Sequence, residues 1–256
     1  MKVKEWLPIW LENYVKPTAK EKTYTRYSEV VTHHLIPRIG KLEMSEVTPL
    51  TLQQMVTELS AHGNLRTSGG LSANTVNAIV TVIQAALQVA YRLGYLPEYT
   101  ADKVKRPKAA EKQIECFTVE EQKKIEAAAL ADRRQKMFGI VLCLYTGLRI
   151  GELLALEWSD IDFAKGEISI NKSCHDSKKG GKYCRLTEAP KTPTSRRVIP
   201  IPKQLLPLLR EQKKKSHSAF VIGEDKVQTV RSYQYSFSLL LRRIGVPHRG
   251  FHALRH

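Results

Sequence analysis

Three short stretches carry residues whose types and spacing suit work on a phosphate. In "TGLRIGELLALEW", Arg149 opens a predicted helix directly after a glycine turn, and Glu152 follows three residues later on the same helical face. An arginine emerging from an apolar helix end and steadied by a carboxylate can present two parallel N–H donors to an oxyanion. Taken alone, such a pair is more often an ordinary surface ion pair. In "APKTPTSRRVIPIP", Lys191 sits in a turn between predicted strands, flanked by Pro190 and Pro193. A lysine there can enter a site from the side opposite a helix, although a solvated turn lysine reads the same way. In "HALRH", His252 and Arg255 stand three apart at a predicted helix start, so both can face one cluster of oxygens. The histidine can trade protons near neutral pH, while the arginine stays charged.

The bulk charge points to the same kind of ligand. Lys and Arg number 41 against 25 Asp and Glu in 256 residues, a net charge of +16. Such an excess suits a polyanion, because phosphate neutralisation releases counterions, and nucleic acid is the expected partner. The opening "KVKEWLPIWLENY" is not a signal peptide, and no stretch approaches the apolar length that spans a membrane. The four cysteines lack the spacing of a secreted framework, which fits a reducing cytoplasm. Cys174, His175 and Cys184 lie close in sequence but lack a fourth ligand at zinc spacing, so no metal and no cofactor is expected.

The elements that must position these residues form two sets. Residues 1–101 read as four helices with short breaks, a small bundle. The first, "KVKEWLPIWLENYV", places Trp6, Ile9, Trp10 and Tyr14 on one face; the second, "EKTYTRYSEVVTHHLI", stops at Pro37 and Gly40. Thr48 caps the third with Pro49 at its first position, and the fourth runs from a Ser72 cap to Gly94. Residues 102–114 carry Lys103, Lys105, Arg106, Lys108 and Lys112 without apolar periodicity, and read as a basic linker. Residues 115–256 open on a capping box, Thr118 with Glu121, followed by a buried helix "KMFGIVLCLYTG" that Gly147 closes. In the next helix Leu153, Leu154 and Leu156 point inward. "GEISI", "YCRLT" and "RRVIPI" alternate as strands, and two further helices precede the final motif. The expected fold is mainly α with a small antiparallel β-sheet.

Taken in order, Arg-x-x-Glu, then Pro-Lys-Thr-x-x-Ser-x-Arg, then His-x-Leu-Arg resembles the tyrosine recombinase (phage integrase) family. "TYTRYSEVVTHHLIPRIGKLEMSEVT" and "LSANTVNAIVTVIQAALQVAYRLGYL" are similar to the helical core-binding domain of integrases from mobile elements. The resemblance implies a two-domain clamp on double-stranded DNA, a core-binding bundle and a mixed α/β catalytic domain, assembling as a tetramer without ATP or metal. Under it, Arg149 and Arg255 grip the scissile phosphate, Lys191 protonates the leaving 5′-oxygen, His252 assists proton transfer and Glu152 orients Arg149. DNA contacts are expected at Lys22, Arg26, Asn74, Asn77, Lys105, Arg106 and Lys108.

In that family the nucleophilic tyrosine follows the His-x-x-Arg segment, whereas all ten tyrosines here precede His252. The expectation is therefore that these 256 residues do not cleave DNA. The alternatives are a non-catalytic DNA-binding remnant, a short form that interferes with a full-length integrase, or a type IB topoisomerase. The resemblance further implies that the chain starts inside the core-binding domain, without the arm-binding domain of many integrases. It also implies that apolar surface near Leu254 and on the preceding helix is left exposed.

Overall fold

Two separate clusters of apolar side chains organise the chain. The computed structural model describes residues 1–99, 101–110, 115–132, 134–179, 182–188, 196–223 and 228–255; for 177–179, 182–186 and 188 it describes the backbone alone. The chain divides into two units, Met1–Lys112 and Gln113–His256, each around its own core.

The first unit is helical. Helix α1 (Val3–Trp10) buries Val3, Trp6, Leu7 and Trp10, and the Trp6 indole donates to the Ala86 carbonyl at 3.1 Å. Ile9 and Tyr14 were expected on this face but are 45% and 40% exposed. The buried stripe follows positions 3, 6, 7, 10 and 11, so Ile9 falls well outside it. A π turn at Leu11–Val15, closed by Lys16 N–H to the Leu11 carbonyl, then shifts the phase at Tyr14. Helix α2 (Glu21–Val30) passes through a second π turn at Val31–Leu35 into α3 (Ile36–Ile39), so the helical path continues beyond Pro37 to Gly40. The widened turn already breaks the ordinary ladder where proline lacks its N–H.

Helix α4 (Pro49–His62) is capped by Thr48 and α5 (Ala73–Arg92) by Ser72, each hydroxyl accepting the N–H three residues on. Contrary to the expectation that no stretch approaches membrane-spanning length, α5 is long and apolar enough to cross one by length and composition. Its apolar side chains Val76, Ile79, Ile83, Leu87 and Ala90 instead lie buried in the bundle. After a 3₁₀ turn at Ala101–Lys103, the chain is held against α4 and α5. Lys105 N–H donates to Gln53 at 2.9 Å and Asn77 donates to the Pro107 carbonyl at 3.1 Å. The Arg106 guanidinium reaches the Asn77 carbonyl, the Thr81 hydroxyl and Gln84 at 3.3, 3.1 and 2.6 Å.

The second unit begins at α6 (Val119–Ala131), whose capping box joins Thr118 and Glu121 reciprocally at 2.8 and 3.2 Å. Helix α7 (Gln135–Thr146) is buried almost throughout and ends at Gly147 with φ +62°. Helix α8 (Ile150–Ala155) is short, and Leu153, Leu154 and the following Leu156 point inward as expected. Strands β1 (Ile161–Asp162), β2 (Glu167–Ile170) and β5 (Arg197–Pro200) form an antiparallel sheet in the order β1-β2-β5. Strands β3 (Ser173–Lys179) and β4 (Lys182–Glu188) form a separate antiparallel pair, with Lys179 opposite Lys182. Helices α9 (Leu205–Lys215) and α10 (Val230–Arg243) and a 3₁₀ turn, Phe251–Arg255, complete the unit.

Two contacts seat β3. The Asp176 carboxylate accepts the Val230 and Arg231 N–H groups at 2.8 and 2.9 Å, tying the strand to the start of α10. At α8, a Cβ on Gly151 would lie 2.5 Å from the Cys174 carbonyl oxygen and 2.6 Å from the Ser173 hydroxyl. Gly151→Ala should therefore destabilise this unit by about 1–3 kcal/mol through overpacking. A thermal melt with an unchanged midpoint would refute that close approach.

Candidate active site

The site is built around a carboxylate that the fold buries. Arg149 is the N-cap of α8, just after the Gly147 turn. Its backbone N–H donates to Glu152 Oε2 and its Nη1 to Oε1, both at 2.9 Å. From β5, Arg197 donates through Nη1 and Nη2 to the two Glu152 oxygens at 2.9 and 2.8 Å. Burial pushes the Glu152 carboxyl up, but the Arg197 guanidinium and the two Arg149 donors outweigh it and hold the value down to about 2. Glu152 is thus a fixed anion between two cations. The Arg149 side chain remains 51% exposed, so a guanidinium oriented from behind still faces solvent.

Arg255 comes from the 3₁₀ turn. A Cβ on Gly147 would lie 3.7 Å from Arg255 Cγ, so the Arg255 side chain runs against the same turn that launches Arg149. His252 and Arg255 are exposed, while Phe251 and Leu254 between and beside them are buried. The expected α-helical start is a 3₁₀ turn, in which residues three apart eclipse one another and share one side more closely. The structure therefore places Arg149, Glu152 and Arg255 around one glycine turn, with His252 on the same short segment as Arg255. Lys191 lies outside the described residues.

Aromatic packing fixes the floor. Phe251 meets Tyr233 and Phe237 in edge-on contacts at 5.5 and 5.2 Å between ring centroids. Tyr233 is buried, donates its hydroxyl to the Lys136 carbonyl at 2.6 Å, and burial raises its pKa well above the ordinary phenol value. Tyr235 is 66% exposed on α10. The apolar surface expected to be exposed divides between Leu254 and the helix before it. Leu254 is buried, in the same core cluster as these rings, whereas the preceding helix α10 does expose Tyr235 and Leu239.

In the first unit, Lys22 and Arg26 are exposed one turn apart on α2, and Asn74, Lys105 and Lys108 are also exposed. Asn77 and Arg106 are engaged within the unit, as described above. Among the described residues no group of three or more His, Cys, Asp and Glu is placed to hold a metal.

Arg197 stands in the same hairpin motif as Lys191, yet the motif's spacing assigns it no role. The signal was its place on β5, where Arg197 and Ile199 share the less exposed face. An inward-facing arginine on a strand implies a buried acid to meet it.

Comparison with known proteins follows the same division. Residues 2–60 match the phage integrase N-terminal SAM-like domain, and residues 115–256 match the phage integrase family. The chain is 30% identical over 276 aligned positions to a tyrosine recombinase XerC-like protein of Caldanaerobacter subterraneus subsp. tengcongensis, covering 96% of this chain and 68% of that protein. It is 29% identical to the ICEBs1 integrase of Bacillus subtilis, covering 79% of this chain and 52% of that one. The Tn1549 transposon integrase in complex with transposon right end DNA has a similar fold, with TM-score 0.82 and 18% identity over 100% of this chain and 84% of that chain. A lambda integrase tetramer bound to a Holliday junction gives TM-score 0.73 and 18% identity over 100% and 71%.

The Glu152 arrangement carries a pH signature. Its folded pKa lies below the usual 4.5, so its stabilising contribution is complete above pH 4.5 and is lost as the pH falls towards about 2. The shift corresponds to roughly 3 kcal/mol. Glu152→Gln should lower the melting temperature at pH 6, and the gap from the unsubstituted chain should close on acidification across this window. A gap that stays constant with pH would refute the buried-anion assignment.

Proposed function

The chain belongs to the phage integrase family, and from that premise we propose that it acts in site-specific recombination of double-stranded DNA, gripping the scissile phosphate with Arg149 and Arg255. The observation that carries this reading is the meeting of those two arginines at the Gly147 turn, one of them braced by a buried carboxylate. Two guanidiniums held in place before the substrate arrives stabilise charge that builds on the non-bridging oxygens without reorganising during reaction.

In the strand transfer that this reading entails, a tyrosine hydroxyl attacks phosphorus as its proton leaves. The bond to the 5′-oxygen breaks, and that oxygen takes up a proton. A 3′-phosphotyrosyl link and a free 5′-hydroxyl result, and a 5′-hydroxyl later reverses the step on a partner strand. His252 would assist proton transfer at the attacking hydroxyl, and Lys191 would protonate the departing oxygen. Glu152 orients Arg149, and Arg197 holds Glu152. The phosphate bond energy is conserved, so neither ATP nor a metal enters the scheme.

For the first unit, the exposed Lys22, Arg26, Asn74, Lys105 and Lys108 are the proposed duplex contacts. Asn77 and Arg106 serve instead to seat the basic strap. The relatives named for a transposon and for ICEBs1 support action on a mobile element, and the lambda tetramer supports assembly as a tetramer on DNA, in the cytoplasm of a bacterial or phage-infected cell.

A second reading applies to residues 1–256 taken as they stand: duplex binding without cleavage, able to interfere with a complete recombinase. It is favoured by Tyr233, the tyrosine packed under the His252 turn, whose hydroxyl is buried and engaged with Lys136. Covalent catalysis without a poised nucleophile has no first step. A nicked duplex carrying the junction sequences that flank the encoding locus tests both readings. The 256-residue polypeptide should bind it in a salt-dependent way yet yield no covalent adduct on a denaturing gel; an adduct would sink the second reading. Arg149→Ala and Arg255→Ala should each lower the slope of log affinity against log salt by about one. Unchanged slopes in both variants would sink the phosphate grip.

A further inference from the structure

His252 and Arg255 sit on a five-residue 3₁₀ turn that follows an irregular segment at 246–250. A turn this short has little stability of its own, so its orientation must come from anchors. Phe251 and Leu254 are two such anchors, and both are apolar and non-directional. Arg249 is a third, and it is directional. Its Nη1 donates to both Glu121 carboxylate oxygens at 3.0 Å, and its guanidinium carbon lies 5.1 Å from the centre of the Phe117 ring. Its Nε stands 3.7 Å from Glu115 Oε2. The Arg249 and Glu121 side chains are each 17% exposed, unlike the open surface pairs on other helices.

The receiving carboxylate is itself held. Glu121 accepts the Thr118 N–H in the α6 capping box, and Thr118 and then Arg249 lower its pKa below the ordinary value. Phe117 in turn meets Phe237 edge-on at 6.2 Å, beside the rings that seat Phe251. Arg249 thus joins the His252–Arg255 turn to the start of α6 through a rigid acceptor and a ring face.

We propose that Arg249 is a positioning residue for the phosphate grip: its bond to Glu121 and its stacking on Phe117 set the direction in which His252 and Arg255 face. The proposal rests on the phosphate-grip reading above. Arg149 is braced separately by Glu152, so loss of Arg249 should disturb one side of the grip and spare the other.

The test is a titration of the isotope-labelled chain with inorganic phosphate, followed by NMR of the arginine Nε–H and histidine ring signals. In the unsubstituted chain, signals of Arg149, His252 and Arg255 should all respond. In Arg249→Ala the apparent phosphate affinity read at Arg255 and His252 should fall roughly tenfold, while the Arg149 response persists. Arg249→Lys keeps the charge but not the planar stack and should restore part of the loss. Should Arg249→Ala fail to fold, Glu121→Gln, which keeps a side-chain acceptor for the Thr118 N–H, should give the same selective loss. Retention of the full Arg255 and His252 response in a folded Arg249 or Glu121 variant would overturn the proposal. An equal loss at Arg149 would also overturn it, by showing a general structural effect. No response at any of the three groups in the unsubstituted chain would overturn the phosphate-grip reading itself, and this inference with it.

Discussion

The second unit depends on one buried anion. Glu152 takes hydrogen bonds from two guanidiniums and a backbone N–H, and these arrive from α8 and from β5. A carboxylate in a protein interior is tolerated only when its oxygens are matched by donors, and removing one partner leaves an uncompensated charge. The requirement therefore fixes the start of α8 relative to the β1-β2-β5 sheet. Everything placed by that junction inherits its rigidity: Arg149 at the helix start, the Gly147 turn before it, and Arg255 lying along that turn.

The other half of the site is held by different physics. The turn with His252 and Arg255 is too short to orient itself, and three kinds of anchor replace helical cooperativity. Phe251 and Leu254 supply burial, Tyr233 and Phe237 supply ring geometry, and Arg249 supplies a directional charge contact. Preorganisation of this sort matters at a phosphate because cations that are already oriented need not reorganise as charge builds on the oxygens. Its contribution is to have cations in place before charge develops.

In the first unit the same logic acts on the basic strap. Arg106 has three acceptors on α5, and Gln53 and Asn77 engage the backbone of Lys105 and Pro107. Part of the segment that composition alone marks as linker is thus folded onto α4 and α5. Lys105 and Lys108 remain exposed on that fixed base. A strap held in this way keeps its charges in place at a smaller entropic cost than a free chain would.

Much of this was legible in the sequence, for local reasons. The caps at Thr48, Ser72 and Thr118, the stop at Gly147 and the inward leucines of α8 all follow from contacts within a few residues, which spacing encodes directly. The order of Arg149, Lys191, His252 and Arg255 along the chain was likewise enough to indicate the phage integrase family. The spacing places Trp6 and Trp10 in the right stripe; Ile9 falls outside it on ordinary helical geometry, and Tyr14 leaves it because the π turn at Leu11–Val15 changes the period. Only the tertiary structure decided that Arg197 meets Glu152, that Arg106 is held on α5, that Arg249 reaches Glu121 and that Tyr233 is a core residue. Each of these joins positions distant in the chain, and sequence spacing carries no information about which cation a fold will bring to a buried carboxylate. Burial decides it, because the cost of an unmatched charge selects the partner that packing has placed within reach.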